Sequence, residues 1–241
     1  MAVDEIFMER MTWQEVADEI EGGRRTAVIV AGATEQHGPH LPIGTDELLG
    51  VELGARVARE LGDALVAPVI RPGCSDIFLS YPGTISVSPE LLMAILDAYV
   101  ASLRGQGFRR FVVFPTHGGN FRVLDAWRAR GVAEGVIVVS TIGGYGMKFA
   151  KVPSAIGNHS DLMETSNMLV IDRSLVHLER AAAGYVGPRP AENVDQHRMR
   201  ELSPNGVLGD PAGASATIGH EALGLMAAYV VGQVRAAASS A

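Results

Sequence analysis

Carboxylates and imidazoles crowd into short stretches of this chain. Glu35, His37 and Asp46 fall within residues 35–46, and His117 opens His117-Gly118-Gly119-Asn120. Glu35 and His37 are two residues apart, so an extended backbone points both side chains the same way. Gly38, Pro39, Pro42 and Gly44 are turn-forming residues that would fold Asp46 back toward them. A further carboxylate, Glu164, follows His159 by five residues. Two imidazoles with three carboxylates suit Zn²⁺ or Mn²⁺, and a carboxylate such as Asp46 can bridge two ions. Two cations about 3.5–4 Å apart can share a hydroxide and polarise a carbonyl, which is what amide hydrolysis needs near neutral pH. A histidine at one loop end is as readily a hydrogen-bonding or capping group. The concentration of ligand types in two loops is what argues for a metal.

Such residues must be delivered by the elements before them. TAVIVAGATEQHG (26–38) reads as a buried strand emptying into a polar loop, and FRRFVVFPTHGGN (108–120) repeats that grammar. Residues 46–61 have helical apolar spacing, ALVAPVI is strand-like, and 88–105 opens with Ser-Pro-Glu, a helix start with proline at the first position. Thr12 is placed to cap a short helix. A helix over 124–132, a strand at GVIVVSTI, a helix over 161–171 and a last helix over 214–238 continue the alternation. The pattern predicts an α/β fold with a mostly parallel sheet covered by helices, taken as a single domain over 1–241. In such sheets functional groups gather at the carboxyl ends of strands. Residues 184–213 lack a clear period and read as a surface excursion, a lid or a subunit contact.

The formal charge of −7, with basic residues scattered, gives no duplex nucleic-acid footprint. The lone Cys74 excludes an internal disulfide, and the acidic start MAVDEIFMER is unlike a secretory signal, so a cytoplasmic protein is expected. Apolar runs such as 26–33 and 111–115 are too short to span a bilayer, and no membrane partner is expected.

Residues 32–42, Gly-Ala-Thr-Glu-Gln-His-Gly-Pro-His-Leu-Pro, followed by Thr45-Asp46, resemble the signature of the creatininase (creatinine amidohydrolase) family. Pro82-Gly83-Thr84-Ile85-Ser86, His117-Gly118-Gly119-Asn120, Glu164-Thr165-Ser166 and Gly206-Val207-Leu208-Gly209-Asp210-Pro211 follow in that family's order, so the resemblance covers nearly the full length. It implies a three-layer αβα domain with a two-metal site. Glu35, Asp46 and His117 would hold one ion, and His37 and Asp46 would reach the other. Zn²⁺ is the first expectation for both, with Mn²⁺ or Fe as alternatives. The family's namesake enzyme supplies a Glu two residues after the second-loop histidine, where this chain has Gly119; Glu164 is the expected replacement. His159 matches a family histidine that transfers a proton during ring opening. A homo-oligomer, with a hexamer as one form, is also implied.

The chain departs from the family between His159 and Glu164, where Ala-Gly-Glu-x is usual and Ser160-Asp161-Leu162-Met163 stands here. Asp161 either substitutes for the missing Glu in the substrate pocket or starts a helix, where the dipole favours a carboxylate. Ile77-Phe78 replaces a frequent Glu-His pair, which makes the pocket less polar there. Tyr81 and Tyr145 are further candidates for its lining. Trp13 and Trp127 lie outside the relevant motifs, so creatinine is not the expected substrate. His40 is a candidate partner for a metal ligand. The expected activity is metal-dependent hydrolysis of a C–N bond (cyclic amide, formamide or related) in a small molecule. A peptidase or deformylase in cofactor biosynthesis, and a noncatalytic metal- or ligand-binding member of the family, are the alternatives.

Overall fold

The computed structural model describes residues 5–141, 159–187 and 194–239. Strands β1 (Thr26–Ala31), β2 (Ala64–Val66), β3 (Arg110–Pro115) and β4 (Val136–Val138) form a parallel sheet in the order β2-β1-β3-β4. β1 and β3 pair from Thr26 opposite Arg110 to Ala31 opposite Pro115, so the loops that follow them leave the sheet side by side.

Every residue of β1 is buried, because a parallel sheet is covered on both faces and needs no polar alternation. Its side chains alternate between two apolar layers. Val28 and Val30 pack with residues of α2 (Thr45–Leu61) and α7 (Ala216–Ser239). Ala27, Ile29 and Ala31 pack with residues of α1 (Trp13–Glu21), α3 (Pro89–Gln106) and α4 (Phe121–Ala129). α5 (Leu162–Ile171) joins the first layer through Met163, Val170 and Ile171. The result is the expected three-layer αβα architecture. By length and composition α7 is the one helix among the described residues that could cross a membrane, yet Leu223, Met226, Val230, Val231 and Val234 are buried in the core.

Local signals account for most element ends. Thr12 and Glu15 form a reciprocal capping box on α1, and Ser88 caps α3 ahead of Pro89. β2 stops at Val66, short of the ALVAPVI run, because Pro68 has no N–H for a ladder; the chain returns to β1 only at Ile70, bridged to Ala31. α4 begins three residues before the expected position, since a 3-10 turn at Gly118–Asn120 leads straight into it. It ends before Gly131, whose φ of +86° suits glycine. Within the excursion, α6 (Gln196–Leu202) and an antiparallel bridge between His159 and Leu208 lay the chain beside the strand ends.

Candidate metal centre

The loop after β1 turns through Gly38, at φ +66°, where an added Cβ would sit 2.6 Å from Val207 Cγ2. Glu35 N donates to Ile43 O at 3.0 Å, which folds the loop back and starts α2 at Thr45. Asp46 therefore lies in the first turn of a helix, beside Glu35 and His37. His117 arrives from the end of β3. His159 and Glu164 come from the start of α5, where Asp161 caps the helix by accepting from Met163 N and Glu164 N. The helix-start reading of Asp161 accounts for its geometry.

The ligand-type atoms form two sets that share Asp46. Glu35, Asp46 and His117 make one: His117 Nδ1 is 3.2 Å from Glu35 Oε1 and 3.2 Å from Asp46 Oδ2. His37, Asp46 and Glu164 make the other: His37 Nε2 is 3.6 Å from Asp46 Oδ1 and 3.6 Å from Glu164 Oε2. Both imidazoles are oriented through their second nitrogen, His37 Nδ1–H donating to Glu35 O at 3.1 Å and His117 Nε2–H to Cys74 O at 2.9 Å. This is the support expected around metal ligands, since it leaves a lone pair aimed inward. Glu35 Oε2, His37 Nε2 and Asp46 Oδ2 are buried and lack a hydrogen-bond partner. Three orphaned polar atoms at one point fit a cation and little else. Glu164 is the least buried of these, its side chain 20% accessible against 2% or less for Glu35, His37 and Asp46.

Burial alone would lower the His37 pKa, but the Asp46 and Glu164 carboxylates carry it up to about 10. His117 is likewise driven well above its usual value, against burial, by Glu35 and Asp46. Burial would raise Glu35 and Asp46, yet the facing imidazoles hold both below the ordinary carboxylate range. Glu164, with burial and the neighbouring Asp46 charge both against ionisation, is pushed up to about 8. Burial also lifts Asp161 to about 6.

His159 stands at the edge of the cluster, its Nδ1 3.4 Å from Glu35 Oε1. Phe78 stacks on the ring at 4.3 Å and 18°, and His37 lies against it at 4.4 Å. Burial and the His37 charge lower its pKa to about 4, so the ring is neutral at pH 7. Tyr81 meets Phe78 edge-on and gives its hydroxyl hydrogen to Ser203 O, while Ile77 packs on the same apolar group. Tyr145 lies outside the described residues. His40 contacts Thr165 Oγ1 at 2.9 Å rather than a ligand, so its place is behind α5.

Sequence reasoning missed two parts. Gln36 accepts from Gly38 N, donates to Gly206 O and touches His159, and the Cys74 carbonyl fixes His117. Gln36 stood in the motif as a signal; a backbone carbonyl leaves none. Ser160 adopts φ 55°, a left-handed conformation costing a non-glycine residue about 1–2 kcal/mol, and points its N–H at Glu164 Oε2.

The sequence matches the creatininase family, described as creatinine amidohydrolase, over residues 9–234. The mycofactocin precursor peptide peptidase of Mycobacterium ulcerans is 34% identical over 207 residues, 80% of this chain and 77% of that protein. The creatinine amidohydrolase of Pseudomonas putida is 28% identical over 200 residues, 73% and 75% of the two chains. A mutant creatininase of Zn-Zn type superposes at a TM-score of 0.75 with 25% identity, covering 97% of this chain and 98% of that one. A Mn creatininase superposes at 0.74 with 26% identity over 96% and 98%.

Proposed function

The chain belongs to the creatininase family of hydrolases, and we propose that residues 1–241 form one catalytic domain that hydrolyses an amide-type C–N bond with divalent metal. The observation that carries this reading is the pair of buried donor sets sharing Asp46, with the neutral His159 imidazole beside them. Glu35, Asp46 and His117 would hold one ion; His37, Asp46 and Glu164 would hold the other. When bound, the ions supply a nucleophilic water near neutral pH and positive charge for the carbonyl oxygen. His159 arrives unprotonated at Nδ1. It takes a proton from the attacking water and returns it to the departing nitrogen, so the imidazole ends neutral. Phe78 covers one face of His159, which keeps water from that side.

A small cyclic amide or formamide is one substrate class. A short peptide is the second, favoured by the peptidase name of the Mycobacterium ulcerans relative. The apolar group of Ile77, Phe78 and Tyr81 lies beside His159 through Phe78, and such surroundings suit either class better than a strongly polar ligand. A homo-oligomer in the cytoplasm completes the reading. The test is to reconstitute the protein with Zn²⁺ or Mn²⁺ and screen cyclic ureides, lactams, formamides and short peptides by mass spectrometry. Turnover of one class, lost in Asp46→Asn, is the expected result. No hydrolysis of any class by protein with both ions bound would favour a noncatalytic binding role.

A further inference from the structure

Three histidines, not two, are built alike around this cluster. His37 and His117 each tie one ring N–H to a backbone carbonyl and turn the other nitrogen toward carboxylates. His159 does the same: Nε2 lies 2.8 Å from Gln36 O, and Nδ1 faces Glu35 Oε1 at 3.4 Å. A carbonyl only accepts, so that bond places the proton on Nε2 and the lone pair on Nδ1. The Gln36 amide nitrogen is also 2.8 Å from Nε2; one of its two hydrogens goes to the Gly206 carbonyl at 2.9 Å, and the Nε2–H of His159 is assigned to the Gln36 carbonyl. Phe78, stacked on the ring, holds its plane. Donor atoms of Glu35, His37 and His159 all lie within 4.8 Å of one another, and all three residues are buried.

His37 Nε2 has one lone pair, so it can serve Asp46 and Glu164 or Glu35 and His159, not both at once. We propose that the second ion has two alternative seats, and that the metal chooses between them. The Glu35–His37–His159 seat offers two imidazoles and one carboxylate, the donor set of His₂Glu zinc sites. The His37–Asp46–Glu164 seat offers one imidazole and two carboxylates, which suits the harder Mn²⁺. Zn²⁺ held at the first seat would occupy the His159 Nδ1 lone pair, so the proton transfer assigned to His159 above would belong to the form with the second seat filled. Mn²⁺ at the second leaves His159 free. The inference rests on the metal reading above and adds to it a ligand role for His159.

The test measures binding, not turnover. In His159→Asn, chelator competition should show the affinity for the second Zn²⁺ falling by roughly 10–100-fold or more, a loss of the size that even outer-shell changes cause. The affinities for Mn²⁺ should stay as in the wild type. His159→Gln serves the same purpose if the first variant folds poorly. The wild type gives a check that needs no variant: loaded with two equivalents of Co²⁺ as a zinc surrogate, it should show three hyperfine-shifted exchangeable imidazole N–H resonances, from His37, His117 and His159. Two such resonances, an unchanged second Zn²⁺ affinity in both variants, or an equal loss for Mn²⁺ would overturn the proposal. Fewer than two bound ions of either metal in the wild type would overturn the two-ion reading itself, and this inference with it.

Discussion

His117 donates Nε2–H to the carbonyl of Cys74 at 2.9 Å, and that bond decides which nitrogen faces Glu35 and Asp46. The contact depends on the absence of a side chain next door. A Cβ on Gly119 would lie 2.1 Å from Cys74 O and 2.4 Å from His117 Nε2, so a Glu at this place, as the resemblance gives for the family's namesake enzyme, has no room on this backbone. Glu164, across the cluster, is the carboxylate that faces His37 instead.

Gly119→Ala should therefore displace either the Cys74 carbonyl or the His117 ring. The expected loss is about 10–100-fold in affinity for the ion of the Glu35–Asp46–His117 set, the usual effect of disturbing a ligand's support. The other ion should bind nearly as before. Calorimetric titration of both sites checks this, and unchanged affinity at both would show that the loop absorbs the methyl group.

Asp46→Asn keeps the side-chain shape and removes the charge that both donor sets share. With Mn²⁺, two ions should be weakened by one substitution, each by roughly 10–100-fold or more. Elemental analysis after dialysis against a chelator that leaves the wild type loaded is the measurement. Loss of one ion with full retention of the other would mean that Asp46 serves a single site.

Metal uptake should release protons. In metal-stripped protein at pH 7 His37 is held up to about 10, His117 well above its usual value and Glu164 at about 8, so all three carry protons that a cation must displace. Calorimetry in buffers of different ionisation enthalpy should show this release, and affinity should rise with pH. The same shifts fix a sign for folding. In the folded metal-free protein Glu164 and His37 keep protons that the unfolded chain loses, so their contribution to stability falls as pH rises, through about 4.5 to 8 for Glu164 and about 6.5 to 10 for His37, while His40 and His159, both lowered to about 4, oppose them below about 6.5. Glu35 and Asp46, held low, act oppositely and lose their contribution as pH falls through the acid range. A pH-independent metal affinity between pH 6 and 9 would contradict these protonation states.

Much of this cluster was legible because its residues follow strands. The apolar run ending at Ala31 and the one ending at Pro115 marked where loops must emerge, and the Glu35–His37 spacing fixed a common direction. Asp46 was legible through the turn residues ahead of it. What the sequence hides are contacts made by backbone and by distant chain. The Cys74 carbonyl would accept from His117 whatever residue stood there. The stacking of Phe78 on His159 joins segments 81 residues apart (159 minus 78), which no local spacing encodes. The early end of β2 was in principle readable from Pro68, since a residue without N–H breaks the ladder wherever the apolar run continues.

With Mn²⁺, which leaves His159 free, the proposed proton transfer at this residue can be read apart from metal binding. In the metal-free protein burial and the His37 charge hold its pKa near 4; a cation on His37 removes that charge but burial still favours the neutral ring, and its Nε2 is fixed at the Gln36 carbonyl. In the proposed mechanism Nδ1 is therefore the atom that takes a proton from water and passes it to the leaving nitrogen. Asn at this position keeps a polar group but cannot carry the proton at that stage. With Mn²⁺ bound and its stoichiometry unchanged, His159→Asn should lose about 10²–10⁴-fold in kcat, the usual contribution of general acid–base catalysis, with a much smaller change in KM. A substrate whose leaving nitrogen is less basic needs less help and should lose less. Near-normal kcat in the Mn²⁺-loaded variant would assign the proton to another donor, with Asp161, raised to about 6 and at the N-terminus of α5 close to His159 in the chain, next to be replaced.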